Sequence, residues 1–334
     1  GYSLSGWISP YDAVTAAHYF PGSTSQTVCT MIQNSVGSAK WPNTSTLKGL
    51  AYMTFKLKAD NEVWSGGVPT ITVELDGKLI KNIETDSYYT GPDQNPVDVL
   101  YDYLTNDIYG KGLSDSVLYM GDSMEYGSFR YARNVVGNNI KFNGAAFTDR
   151  TLFDNASLMA EQSGLYLIYS AGTYRLIPNR NSESISRTLN SDEVIGDVSV
   201  VGNNKVVRKN RISVTFSNKD SLYVDDSYIL EDPLYLSLDG GNVLEGQMTL
   251  DYITEASLVA SIAQNRLDIS RYNTSLEVEV PHTWLTAECG DVIGVSLDDF
   301  GFSNKPFRIM KLELTPDNTV KLTLVEYIDG IHLL

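Results

Sequence analysis

Acidic residues in close pairs are the side chains of this 334-residue chain that could most readily do chemistry. The stretch "YVDDSYILEDP" brings together Asp225, Asp226, Glu231 and Asp232, and "SLDDFG" adds Asp298 and Asp299. Two carboxyl groups held at a fixed separation can divide acid and base roles at a glycosidic bond, and several oxygens together can hold a cation. Neither stretch has the spacing of a calcium loop. With 41 acidic residues in the chain, neighbours of this kind arise in solvated loops by chance, and that reading outweighs the catalytic one.

Three further features could carry chemistry. "YGKGL" (109 to 113) joins two glycines to a lysine, but it follows an apolar helical pattern, whereas a phosphate loop follows a strand and opens a helix. It reads as turn chemistry. His18, His282 and His332 are dispersed, with no nucleophile elbow or zinc-binding helix motif beside them, and read as packing or surface residues. Cys29 and Cys289 are far apart and belong to no paired-cysteine motif, so neither a disulfide framework nor a zinc site is expected. No cofactor is called for. The basic run "KVVRKNRI" (Lys205, Arg208, Lys209, Arg211) reads as the exposed start of a strand, with pairing to an acidic neighbouring subunit as the alternative.

The totals restrict the class. The 42% hydrophobic and 20% charged content and the mean hydropathy of -0.16 are those of a globular protein, and no apolar run approaches the roughly 18 residues of a membrane span. A net charge of -16 repels phosphates, so tight nucleic-acid binding is not expected, although such a surface suits a conduit along which DNA must slide. The chain opens on Gly1 without a leader-like segment, so it reads as processed or as an excerpt of a longer chain.

The elements that must position these residues are mostly strands, as 21 tyrosines and many β-branched positions suggest. Residues 1 to 46 carry Ser, Thr, Gly and Pro loop signals. From Leu47, Ala51, Met53, Phe55 and Leu57 alternate with their neighbours as in a half-buried strand, and "VPTITVEL" with the turn at Asp76 and Gly77 predicts a second. Asn95 as cap, Pro96 at the first position, and Val97, Leu100, Tyr101 and Leu104 on one face predict a helix over 97 to 105 that exits through Gly110 and Gly112. Asp98 sits in its first turn, favourably placed against the macrodipole.

A second helix is expected from about Arg150 to Ser163, capped by Asp149, with Leu152, Phe153, Ala156, Met159 and Ala160 inward and Gly164 as its stop. A hairpin turning at Ala171 and Gly172 follows, then a strand at 211 to 217 with Ile212, Val214 and Phe216 on one face. A third helix spans roughly Thr254 to Arg271, with Thr254 as cap and Val259, Ile262, Ala263 and Leu267 inward. Four strands in the last stretch indicate a closed or nearly closed antiparallel sheet.

Several stretches resemble, in order, the tail-tip hub proteins of long-tailed phages, the family of lambda-type tip attachment proteins and gene transfer agent hubs. They are "LKGLAYMTFKLKADNEVWSGGVPTITVELDGKLI", "NPVDVLYDYLTNDIYGKGL", "TLFDNASLMAEQSGLYLIYSAGTYRLIP" and "CGDVIGVSLDDFGFSNKPFRIMKLELTPDNTVKLTLVEY". The motif positions are Gly49, Pro69, Gly77, Asn95, Pro96, Leu104, Gly110, Gly112, Gly290, Asp291 and Pro306. The first 45 residues match none of the family's motifs.

The resemblance implies an α+β, β-rich fold in which tail-tube-like β-barrel domains carry an α+β insertion and few short helices. It implies an N-terminal β-rich hub domain at 1–94, an α+β middle domain at 95–187, and a second β-barrel hub domain with one long helix at 188–334. It further implies a non-enzymatic homotrimer at the distal tip of the virion tail, closing the tail tube and guiding DNA ejection. Its partners would be the distal tail protein or other tube-side proteins, the tape measure protein, tail fibres or other tip proteins, and passing genomic DNA that is not held tightly. The rival readings are a tail-associated protein that binds or cleaves glycans and a cell-surface β-protein with an adhesive role.

Overall fold

The computed structural model describes residues 14–57, 77–91, 93–170, 172–202 and 208–334. The chain divides into two compact units, Gly1–Glu74 and Leu75–Leu334. The strand expected at 68–75, its turn residue Asp76, and Pro69, Ala171 and Lys205 lie outside the described residues.

In the first unit β1 (Val14–Pro21) leads into helix α1 (Thr30–Val36), and β2 (Ala51–Leu57) returns antiparallel to β1. β2 lies where the alternation placed a strand, whereas β1 and α1 come from the stretch that offered only loop signals. The buried Gln26 fastens the connection: its Oε1 accepts from Gly22 N at 2.8 Å, and its Nε2 donates to the Thr46 and Leu47 carbonyls at 3.0 and 2.8 Å. The expected division of β2 into a buried and an exposed face is blurred, with Ala51 and Lys56 exposed and the rest half-buried, because two strands cannot cover either of their own faces.

The second unit runs through α2 (Pro96–Thr105), α3 (Phe129–Val136), α4 (Leu152–Gln162), the hairpin β3 (Leu165–Ser170) and β4 (Thr173–Pro178), β5 (Thr188–Asn190), β6 (Ile195–Val201), β7 (Arg211–Asn218) and β8 (Val224–Glu231). It continues with α5 (Pro233–Leu238), β9 (Glu245–Leu250), α6 (Ala256–Arg271), β10 (Ser275–Pro281), β11 (Val292–Leu297), β12 (Phe302–Leu314) and β13 (Thr319–Glu326). The class is α+β and rich in strands, as expected.

Two hydrophobic cores form within this unit. The first gathers Leu100 and Leu104 of α2, Phe129 of α3, Met159 of α4, Val214 of β7 and Leu267 of α6, so the β8-β7-β9 sheet packs with the helices rather than with the final strands. The second lies under a six-stranded sheet of order β5-β11-β12-β13-β10-β6 and contains Leu276, Trp284, Ile293, Phe307 and Leu322. Its four central strands are the antiparallel set indicated by the sequence. β5 adds in parallel to β11 at one edge and β6 antiparallel to β10 at the other, so the sheet curls into a half-barrel with two edges.

The helices follow their local signals with shifts. α2 begins where Asn95 and Pro96 placed it. α4 is capped by Thr151 rather than Asp149, because the Thr151 hydroxyl accepts from Asp154 N at 3.1 Å. Ala156, Met159 and Ala160 are buried as expected, but Leu152 and Phe153 in the first turn are exposed, since the core contacts begin only at Asn155. α6 starts after Glu255 rather than Thr254, with its four expected inward residues buried.

Candidate functional site

The residues of the first acidic cluster are engaged one at a time. Asp225 and Asp226 are successive residues of β8, so their side chains leave opposite faces of the sheet. Asp225 accepts from Ser217 Oγ at 3.2 Å; Asp226 accepts from Asn218 Nδ2 at 2.9 Å and from Ser227 N at 2.8 Å, bonds that hold its carboxyl below the usual range. Glu231 pairs with Arg211, its partner in the β7–β8 register, at 2.8 Å. Asp232 caps α5 by accepting from Leu234 N and Tyr235 N. Asp298 and Asp299 belong to a single 3₁₀ turn ending at Gly301. Among the described residues no cluster of His, Cys, Asp and Glu is arranged to hold a metal.

The "YGKGL" turn is a helix terminator. Lys111 N donates to Tyr103 O at 3.1 Å, Gly112 N to Asn106 O at 2.9 Å and Leu113 N to Leu104 O at 2.9 Å, so the amides answer the free carbonyls at the end of α2. Any Cβ on Gly110 would lie 1.9 Å from Tyr103 O, and Gly112 adopts φ 63°. No amide of this set is left facing outward for an anion.

Asn95 and Asp98 form a joint between helices. Asn95 Oδ1 accepts from Val97 N at 3.0 Å and starts α2, while its Nδ2 donates to Gly137 O at 2.8 Å, where α3 ends. Asp98 is 0% exposed. Its carboxylate accepts from Ile83 N at 3.0 Å, from Tyr89 OH and from Arg133 Nε at 3.0 Å, tying the loop before α2 to α3. Burial and the bond to Asp98 push the Tyr89 hydroxyl above its ordinary pKa.

Gly290 and Asp291 form the joint between the two cores. Gly290 stands at φ 99°, packed so that a Cβ would lie 2.5 Å from Ile177 Cγ2 on β4. Its carbonyl accepts from Arg308 Nη1 at 2.8 Å and from Tyr126 OH at 3.3 Å, and its amide donates to Ile309 O at 2.7 Å. Asp291 Oδ2 accepts from Glu288 N at 3.0 Å, and burial raises its carboxyl pKa. Pro306 faces Gly294 in the β11–β12 ladder and accepts from Tyr327 N at 3.0 Å. Gly49 adopts φ 82° in the loop before β2, and Gly77 borders a cavity of about 340 Å³ in which Lys78 donates to Asp102 at 2.8 Å.

His18 and His282 are exposed, as the surface reading expects. His332 is different: it stacks on Tyr327 with centroids 4.9 Å apart, and burial together with the nearby Arg308 lowers its pKa to about 4. Sequence reasoning also passed over Asn210. This fully buried side chain donates to Asp239 and to Asn242 O at 2.8 Å and accepts from Leu244 N at 2.8 Å. Asp239 is in turn paired with Arg271 at 2.7 Å. Nothing in the local pattern marked Asn210 or Arg308, because their partners are remote in sequence.

Fold and joints together define a β-rich α+β protein whose marked polar residues lock helices and sheets to one another. No family model matches the chain. It is 24% identical over 327 residues to the baseplate hub protein pb3 of Escherichia phage T5, an alignment that takes in 90% of this chain and 34% of that protein. The chain thus spans about a third of the length of that relative.

Among solved structures, a chain of the virion of a native gene transfer agent (GTA) particle shares the fold with a TM-score of 0.62 at 16% identity, over 95% of this chain and 72% of that one. The 43 kDa tail protein of prophage MuSo2 from Shewanella oneidensis reaches a TM-score of only 0.38 at 14% identity, over 53% and 55% of the two chains. The resemblance to phage hubs read from the motifs is met by the first of these, and the gene transfer agent particle chain shares the fold.

Proposed function

We propose that the chain is a structural part of a baseplate hub at the distal tip of a phage-type tail. The observation that carries this reading is the extent of the likeness: sequence similarity to a baseplate hub protein runs through 90% of the chain, and a virion chain shares its fold over 95%. In this reading the protein assembles as a homotrimer that closes the tail tube. It meets tube-side proteins on one face and fibres on the other, and guides DNA outward without gripping it.

Two physical features support an assembling role. β8 is the edge of its three-stranded sheet, and Leu222, Val224, Ile229, Leu234 and Leu238, on it and beside it, are all exposed. Unpaired strand edges with exposed apolar side chains are surfaces that a neighbouring subunit can cover. The net charge of -16 favours passage of DNA over retention. The glycan-directed alternative loses part of its support, because Asp225, Asp226 and Glu231 serve as strand partners and Asp232 as a cap.

The test is mass. The 36.9 kDa chain is expected to associate into a species of three copies in solution and in isolated tails. A monomer in both settings would overturn the trimeric reading, and its absence from tail preparations would overturn the hub reading.

A further inference from the structure

Arg308 on β12 is 3% exposed. Nη1 donates to the Gly290 carbonyl, the rings of Tyr327 and Tyr166 lie 5.2 and 5.9 Å from the guanidinium carbon, and Nη2 has no hydrogen-bond partner. Of the acidic groups around it, Glu326 pairs with Lys305 at 2.8 Å and Glu183 with Arg180 at 2.9 Å, while Asp291, bonded to Glu288 N, acts on Arg308 through space without touching it. No ion pair to Arg308 occurs among the described residues. A buried guanidinium N–H without an acceptor is costly, and folded proteins ordinarily pair such groups.

The guanidinium lines the boundary of two spaces. One is a chamber of about 50 Å³ that also touches Asn179, Tyr166 and His332; the other is a cavity of about 390 Å³ that shares Arg308, Asn179 and Tyr166 with it. Asn179 Oδ1 is buried without a partner as well, and the His332 ring borders the small chamber. Water in the small chamber can answer Asn179, but it cannot neutralise Arg308. The larger cavity is walled mainly by aliphatic side chains, among them Leu165, Leu167, Met248, Ile262 and Ile269. Arg266 and Glu161 at its wall pair with each other, so Glu161 does not serve Arg308.

We propose that this cavity binds an aliphatic monocarboxylate, with its carboxylate on Arg308 Nη2 and its chain along the aliphatic wall. An apolar body with a single anionic end matches a site of one buried cation and an aliphatic lining, within the size range of small-molecule pockets. The Asn179 amide, which lines the same cavity, can present either end to the ligand.

The probe is dodecanoate, titrated into the purified chain by calorimetry and followed by native mass spectrometry, with dodecanol and acetate as matched halves of the ligand. Saturable one-to-one binding is expected for dodecanoate, at least tenfold tighter than for dodecanol or acetate. Arg308→Met and Arg308→Gln are expected to weaken dodecanoate roughly ten- to hundredfold, the range of a charge-assisted hydrogen bond, while leaving dodecanol unchanged. The proposal is overturned if dodecanoate shows no saturable binding up to about 1 mM. It is also overturned if dodecanol or acetate binds equally well, or if folded Arg308 variants bind dodecanoate as the parent does. Should neither variant fold, the comparison of the three probes on the unaltered protein still decides the matter.

Discussion

Replacing Asp98 tests whether a single carboxylate holds the helical core together. The side chain is fully buried and receives donors from Ile83 N, Tyr89 OH and Arg133, whose own side chain is 20% exposed. Truncation to alanine removes the acceptor for all three and leaves a largely buried guanidinium without its partner. Breaking a buried pair from one side costs about 3–5 kcal/mol, and orphaned donors lie within that figure rather than on top of it. Urea titration of the purified protein, followed by far-UV circular dichroism, should therefore show a large fall in the midpoint of the transition that melts the helices, with an unchanged slope.

The cycle with Arg133→Met separates the pair from the site. If the charge left behind dominates, the double variant should be more stable than Asp98→Ala alone, with a coupling of at least about 1.5 kcal/mol. A loss below about 1 kcal/mol for Asp98→Ala at constant slope would refute the reasoning, because an acceptor so placed cannot be dispensable.

Three further outcomes are expected. Asn95→Ala removes an N-cap from α2 and a donor to the end of α3, and should cost roughly 1–3 kcal/mol in the same transition, more than a cap serving one helix. Gly290→Ala forces a side chain onto a left-handed backbone and against Ile177, for a loss of about 2–4 kcal/mol; combined with Ile177→Ala, the total loss should be smaller than the sum of the two. His332 has its folded pKa near 4, below its ordinary 6.5, so it favours the folded state above pH 6.5 and that stability is lost as pH falls from 6.5 toward 4. Arg308, Asp329 and Tyr327 face it, and His332→Phe, which keeps the stack on Tyr327, should flatten the stability profile across that window.

Much of the fold was legible where the signal is local. α2 was placed by a cap, a proline and a period, and β7 and β10 to β13 by alternation, because these elements bury one face each. α3 carries the same kind of local signal, with Ser128 as cap, Phe129, Ala132 and Val136 on its buried face and Gly137 at its end, yet the sequence reading placed no helix there. The half-barrel's outer strands were not legible as such, since β5 and β6 reach their neighbours from distant segments.

The same limit hid the roles of polar residues. Asp98 looked like a partner for the helix macrodipole, yet its donors come from Ile83, Tyr89 and Arg133, which no spacing rule connects. Leu152 and Phe153 show the converse error, where periodicity extends a stripe beyond the last turn that touches the core.

Asn95 has a consequence beyond capping. By joining the start of α2 to the end of α3, with Asp98 on Arg133 and Tyr101 against Phe129 further along, it sets the electropositive terminus of one helix beside the electronegative terminus of the other, so the two helices run antiparallel and their peptide dipoles oppose and attract. Fraying at either terminus then breaks a bond that serves both, and the backbone amides on the two sides should exchange with solvent at a common rate.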